Sequence, residues 1–228
     1  MKRWVLLLVF VLAACGEEAV RNENDIQVGD PLYTIDFEDE TAFETGNFSD
    51  RESNRPFDAD LKIEGGVYHI QYTTSGSAYI WGQGGEAAQD VDIEVDARFI
   101  SGGSEDFYGV MCRVDDSGAG YAFLVGRDGY GAIARADGRS LSFLVEWREH
   151  EAIKKHEATN KIRAVCVGDY FALYVNEKFV ADVEDDDEAS YLESGQVGFI
   201  AGVLTESREE SQVNVDFDNL IVREASVK

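Results

Sequence analysis

From position 31 onward, apolar and polar residues alternate along most of this chain, and the period is two. The plainest instance is IRAVCVGDYFALYVN, Ile162 to Asn176. Ile162, Ala164 and Cys166 alternate with Arg163, Val165 and Val167; beyond Gly168-Asp169, Phe171, Leu173 and Val175 alternate with Tyr170, Ala172 and Tyr174. Two such runs on either side of a Gly-Asp step predict a tight β-hairpin. Both of its faces carry apolar residues, which places it inside a sandwich and not at the rim.

The same reading predicts strands at Tyr33–Phe37, Val67–Tyr72, Ala78–Trp81, Val91–Phe99, Phe107–Val114 and Tyr121–Val125. They continue at Tyr130–Arg135, Leu141–Val145, Ile162–Val167, Phe171–Val175, Phe179–Val183, Gln196–Val203 and Val213–Val222. Gly, Asp, Asn and Ser punctuate them about every ten residues, the spacing of an all-β sandwich or barrel. No segment carries a helical stripe and no internal repeat is present. The expected architecture is one antiparallel β-sandwich over residues 31–228, and 228 residues suffice for its core.

The first thirty residues break this pattern. Lys2 and Arg3 precede an apolar run from Trp4 to Val11 and then Leu12-Ala13-Ala14-Cys15. A basic start, a short apolar stretch and small residues before a cysteine read as an export signal. The run is too short to span a membrane as a helix. LAAC resembles the lipobox of bacterial lipoproteins, which implies a leader over 1–14, cleavage before Cys15 and acylation there (diacylglyceryl and palmitate-like chains). Several acyl chains hold a protein on a bilayer where one does not. Residues 15–30 are polar and acidic and read as a tether, with a reach of about 50 Å at ~3.4 Å per residue. The expected location is the cell envelope, outside the cytoplasm, with the membrane as a partner through the anchor.

Charge narrows the partners. The chain carries 20 Lys and Arg against 45 Asp and Glu, a net charge of −25. Nucleic acid is excluded, since phosphate binding needs a basic surface. Such acidity serves solubility more often than it marks a site.

The motifs FEDETAF, EGGVYHIQY, AYIWGQ, DVDIEVDARF, YGVMCRVDD, GYAFLVGRDGYGAIAR, LVEWREHEAI, NKIRAVCVGD, FALYVN, SGQVGFIAG and VDFDNLIV together resemble a laminin-G/concanavalin A-like jelly-roll domain. That domain occurs on bacterial lipoproteins and beside signalling domains, and most members have no assigned activity. The resemblance runs from Tyr33 to Val222. It implies the jelly-roll fold and is nearly silent about function. One departure stands out: the Asn-Gly usual after LYV is Asn176-Glu177 here. Glutamate disfavours positive φ, so a longer or different turn is expected.

Cys112 and Cys166 fall on inward phases of their strands and form an even pair in an exported chain. The resemblance favours a disulfide between them; two buried thiols acting as small hydrophobes are the other reading. Asp90, Asp92, Glu94 and Asp96 lie at every second position, on one face of a strand. Laminarinase-type glucanases share this jelly roll and carry their nucleophile and acid as Glu-x-Asp-x-Glu on one strand. Asp92, Glu94 and Asp96 are therefore candidate glycosidase carboxylates. Their acid types are reversed, however, with the shorter Asp at both ends, and a solvated outer face above a Val/Ile core face is the plainer reading.

Asp36 on the first predicted strand and Asp216, Asp218 and Asn219 on the last would meet if the terminal strands pair. Their hard oxygens would suit a structural calcium, the only cofactor expected. Tyr79, Trp81, Tyr121, Tyr130 and Trp147, with Arg113, could line a concave sheet as a sugar-binding platform; the competing reading is that most of these rings fill the space between the sheets. Arg113 follows Cys112, so strict alternation turns it outward. The leading expectation is a non-catalytic, lipid-anchored envelope domain that recognises a glycan or a protein. A laminarinase-like hydrolase and a structural role in envelope assembly are the alternatives.

Overall fold

The computed structural model describes residues 23–38, 43–187, 191–205, 207 and 209–228. The leader and Cys15 lie outside the described residues. Fifteen strands follow in order: β1 (Ile26–Ile35), β2 (Gly46–Asp50), β3 (Phe57–Glu64), β4 (Val67–Ser75), β5 (Ala78–Ala88), β6 (Val91–Ser101), β7 (Phe107–Val114) and β8 (Ala119–Gly126). Then come β9 (Tyr130–Asp137), β10 (Leu141–Glu149), β11 (Thr159–Val167), β12 (Tyr170–Val175), β13 (Lys178–Glu184), β14 (Gly195–Val203) and β15 (Glu210–Val227). All pairings are antiparallel.

The strands form two sheets. The large sheet runs β13-β12-β11-β6-β15-β4-β3-β2, and the small one β10-β9-β8-β7-β14-β5. β15 is long enough to serve two neighbours on one side: its first half pairs with β4 and its second half with β1. Between the halves Asn219 takes φ 55°, at a bulge where Asp218 opposes Asp96 and Ile221 opposes Glu94. That extra residue shifts the alternation, so Phe217 and Leu220 both reach the core.

The core lies between the sheets. Phe199 stacks on Phe43 at 4.7 Å and on Phe217 at 4.3 Å, and Tyr68 and Phe37 close the same cluster. Burying each such ring contributes about 2–3 kcal/mol. Cys112 on β7 is bonded to Cys166 on β11, a bridge between the two sheets. Closing its 54-residue separation stabilises the fold by about 4 kcal/mol in the chain-entropy picture.

The hairpin forms as predicted: Val167 opposes Tyr170 across a two-residue turn in which Gly168 has φ 54°. Ile162, Ala164, Phe171 and Leu173 face the core, while Val165, Val167, Tyr170 and Ala172 pack with Ile26 and Ala225 on the other side. Three expectations need correction. β1 begins at Ile26, inside the stretch read as a tether, because Ile26 to Val28 pair with Ala225 to Val227. β2 and β3 were not predicted, although Ala59, Leu61 and Ile63 alternate inward along β3. The Asn176-Glu177 turn is neither longer nor of another type: Val175 opposes Lys178, and both turn residues take positive φ, 51° and 67°. Asn176 makes this possible. Its amide donates to Ala152 O and Asn160 Oδ1 and accepts from the Lys161 N–H.

Candidate functional site: a cleft at the mouth of a rolled sheet

β5 and β10 are opposite edges of the small sheet, and across a flat sheet they would stand about 24 Å apart, at ~4.8 Å per strand. Yet the Tyr79 hydroxyl on β5 donates to Ser140 O beside β10, at 3.1 Å. The sheet is therefore rolled, with its edges nearly meeting over its outer face. Inside the roll lies a second apolar core. Phe107, Met111, Leu124 and Ile200 are fully buried there, with Ala122, Ala132, Ala134 and Ala136 between them. Trp147 and Phe143 from β10 cover one side, and Tyr79 and Trp81 from β5 the other. Alanines at the centre leave room for the large rings at the rims.

Trp81 is seated by two turns. A Cβ on Gly118 would lie 2.1 Å from the Trp81 indole, and Gly118 has φ 80°, so only glycine fits. The Asp115 carboxylate ties this turn by accepting from the Ser117 N–H, the Ser117 hydroxyl and the Ala119 N–H. Asp137 does the same for the neighbouring turn through Ser140 and the Arg139 N–H. Both carboxyls are held below the usual range, first by the serine hydroxyls and also by backbone N–H groups, against an opposing desolvation.

Where the roll opens, a polar cleft of about 800 Å³ begins. Trp81, Gln83, Gln196, Glu44 and Asp116 line it, above Phe43 and the Gly84-Gly85 backbone. The polar groups form a chain. Trp81 Nε1 donates to Gln83 Oε1 (3.3 Å), Gln83 Nε2 donates to Gln196 Oε1 (3.0 Å), and Gln196 Nε2 donates to Gly85 O (2.9 Å). Two amides are thus fixed in orientation beside a flat indole. Such a surface suits a hydroxyl-rich, ring-shaped ligand.

Of the predicted aromatic platform, Tyr79, Trp81 and Trp147 share the outer side of the small sheet. Tyr130 joins them by alternation, because Ala132 faces the roll and Ile133 the inter-sheet core. Tyr121 does not. It is fully buried between the sheets, stacked on Phe171 at 3.9 Å, and its hydroxyl donates to Asp185 Oδ2 at 3.0 Å. Burial and the Asp185 charge push that phenol up.

Arg113 is also corrected. It is 1% exposed and turned inward beside Cys112, since φ of 55° and a bulge opposite Val197 break the alternation. Its guanidinium donates to Gln89 O, Tyr191 Oη, Leu192 O and Asp90 Oδ1. Arg113 is a structural clamp. Arg135 plays the same part nearby, gripping Asp185 and Asp187.

The β6 carboxylates do sit on one face, the outer face of the large sheet, away from the cleft. Asp92 is 1% exposed and paired with Arg163 (2.6 Å) and Arg223 (3.1 Å). Glu94 and Asp96 both meet Lys161, at 3.2 and 3.3 Å. Burial lowers the Lys161 pKa, but these two acids outweigh it and hold the amine above its ordinary value. The calcium set does not assemble either, although the terminal strands pair as expected. Asp216 is bonded to His69 Nδ1 at 2.6 Å, Asp218 to Asn219, and Asp36 to the Glu38 N–H. Among the described residues no three His, Cys, Asp or Glu side chains are grouped to hold a metal ion.

Glu44, Gln83, Asp116 and Gln196 escaped the sequence reading. Gln83 had a signal, being two residues from Trp81 and hence on its face. Gln196 and Glu44 had none, because only strand register and loop packing bring them in.

No family model matches the chain, and no curated protein matches it. Solved structures do. The carbohydrate-binding module CBM66 from Bacillus subtilis matches 81% of this chain and 97% of its own, with TM-score 0.55 and 17% identity. A Bacillus subtilis protein of unknown function with a galectin-like fold matches over 89% and 100%, with TM-score 0.56 and 11% identity. A Bacteroides ovatus GH16 protein of a mixed-linkage glucan locus, solved with a G4G4G3G product, matches over 84% and 99%, with TM-score 0.57 and 11% identity. The fold is the galectin-like or concanavalin A-like jelly roll, found in these neighbours on both a binding module and a glycoside hydrolase family member.

Proposed function

We propose that this chain is a lipid-anchored, non-catalytic protein of the bacterial cell envelope that binds a neutral glycan in the Trp81 cleft. One observation carries the reading: an indole and two oriented amides, Gln83 and Gln196, converge on one polar cleft. The indole face would take the apolar face of a sugar ring, and the amides its hydroxyls. The charged groups lining the cleft, Glu44 and Asp116, are both acidic. They would repel anionic sugars and accept hydrogen bonds from neutral ones.

A non-catalytic role is supported by the state of Asp92, Glu94 and Asp96. Retaining hydrolysis needs one carboxyl protonated and a second facing it across the substrate. Here each acid is held in an ion pair with arginine or lysine, on the face of the large sheet away from the cleft. The anchor rests on Lys2, Arg3, the apolar run and LAAC ending at Cys15. Labelled palmitate should enter the wild-type chain in cells and not Cys15→Ser.

The direct test is binding of the full chain, in detergent, to an array of neutral bacterial and algal polysaccharides. A hit weakened at least tenfold by Trp81→Ala or Gln196→Ala is expected. New reducing ends would establish a hydrolase instead, and a blank array would end the glycan reading and point to a protein partner.

A further inference from the structure

A second pocket lies on the opposite side of the molecule, on the outer face of the large sheet between β6 and β13, with a volume of about 520 Å³. Its charge is unlike that of the whole chain. Lys161, Arg163 and Lys178 line it against Glu94 and Glu177, three bases to two acids. The chain as a whole has 20 bases to 45 acids. Lys161 is already shared between Glu94 and Asp96, and Arg163 is held by Asp92. Lys178 makes no ion pair with a described residue, so its amine is available at the rim.

The pocket also carries an aromatic platform. Phe179 is 47% exposed, one of few large apolar side chains so placed, and meets Tyr174 edge-on at 5.6 Å. The Arg163 guanidinium lies over the Tyr174 ring, 4.7 Å from its centroid. That stack fixes the floor of the pocket, while Phe179 offers a ring to solvent.

The turn at its edge is strained where the fold could have used glycine. Glu177 holds φ 67°, a conformation L-residues adopt at a cost, and its carboxylate belongs to the same pocket. Strain retained at a pocket edge is a pointer to function when other observations agree. Here the Lys178 amine and the exposed Phe179 ring agree with it.

From these we infer that the Glu177–Lys178–Phe179 pocket is a second binding site, for a carboxylate-bearing sugar such as the uronate residues of an acidic polysaccharide. Lys178 meets the sugar carboxylate, the Phe179 ring takes the sugar's apolar face, and Glu177 accepts from a hydroxyl. The volume suits one or two sugar units. This site stands on residues and a face separate from the Trp81 cleft, so the two readings can fail separately.

The test uses the full chain in detergent and titrates it with trigalacturonate, with its fully methyl-esterified form, and with vesicles rich in anionic lipid. Binding of the acid is expected, at least tenfold weaker for the ester and weakened by added salt. Lys178→Ala and Phe179→Ala, both exposed positions, should each weaken it at least fivefold, while Trp81→Ala leaves it unchanged. No binding of trigalacturonate, or equal binding of acid and ester, overturns the proposal. So does insensitivity to the Lys178 and Phe179 substitutions, or loss on Trp81→Ala, which moves the site to the cleft. Vesicle binding that depends on Lys178 without trigalacturonate binding would replace the sugar by a lipid surface.

Discussion

The two sheets share one core and one disulfide but have very different outer faces. On the small sheet that face is apolar and closed, with Met111, Leu124 and Ile200 fully buried beneath the rings of β5 and β10. On the large sheet, over β3, β4, β6 and β15, it is polar and internally neutralised. Asp92 is clasped by Arg163 and Arg223, His69 by Asp216, and Asn214 by Ser101. The difference teaches that curvature decides where a ligand can sit. A rolled sheet hides its middle and leaves a cleft at its mouth, whereas the polar face offers shallow pockets over β2–β4 and at β13.

The largest effect should come from breaking the closed face. Leu124→Ala should cost about 3 kcal/mol, as for any fully buried leucine. Gln71→Ala, on the exposed polar face, should stay within about 0.5 kcal/mol. Urea unfolding measures both, and a cost below about 1 kcal/mol for Leu124→Ala would mean the roll is open. The polar face yields next. Asp92→Ala leaves two arginines facing each other and should cost about 2 kcal/mol, less than a fully buried pair because both arginines remain about a quarter exposed. Glu94→Ala at the same face should cost about 0.5 kcal/mol. Equal costs would show that the ladder contributes as a field and not through the buried Asp92.

The smallest effect sharpens the contrast at β13. Glu177→Gly relieves a left-handed glutamate and should raise stability by about 0.5–1 kcal/mol, seen as a higher urea midpoint. If Glu177 serves the second pocket, that gain comes with weaker trigalacturonate binding, a trade-off expected of strained functional positions. Added stability with unchanged binding would assign the strain to the turn alone.

Much of the sandwich was legible, since a half-buried strand writes its burial as a period of two. Val91, Ile93 and Val95 against Asp92, Glu94 and Asp96 on β6 show this directly. Reading failed where the period itself fails. At Arg113 and Asn219 a positive φ and a bulge swing the next side chain to the wrong face, and nothing in the residue names announces it. Tyr121 took the competing place open to these rings, the space between the sheets, where its phenol finds a buried carboxylate partner. Of the cleft, Trp81 was nominated and Gln83 was within reach, while Gln196 required knowledge that β14 lies against β5.

By itself the sequence determined the class of fold, the inward phase of both cysteines, the hairpin at Gly168 and the strong net acidity of the chain. These follow from local alternation, turn chemistry and total charge, which involve few residues or all of them at once. Only the tertiary structure decided which face of each sheet is open. That depends on the roll of the small sheet, on bulges, and on which distant charges meet, all of which are set by contacts between residues far apart in the chain.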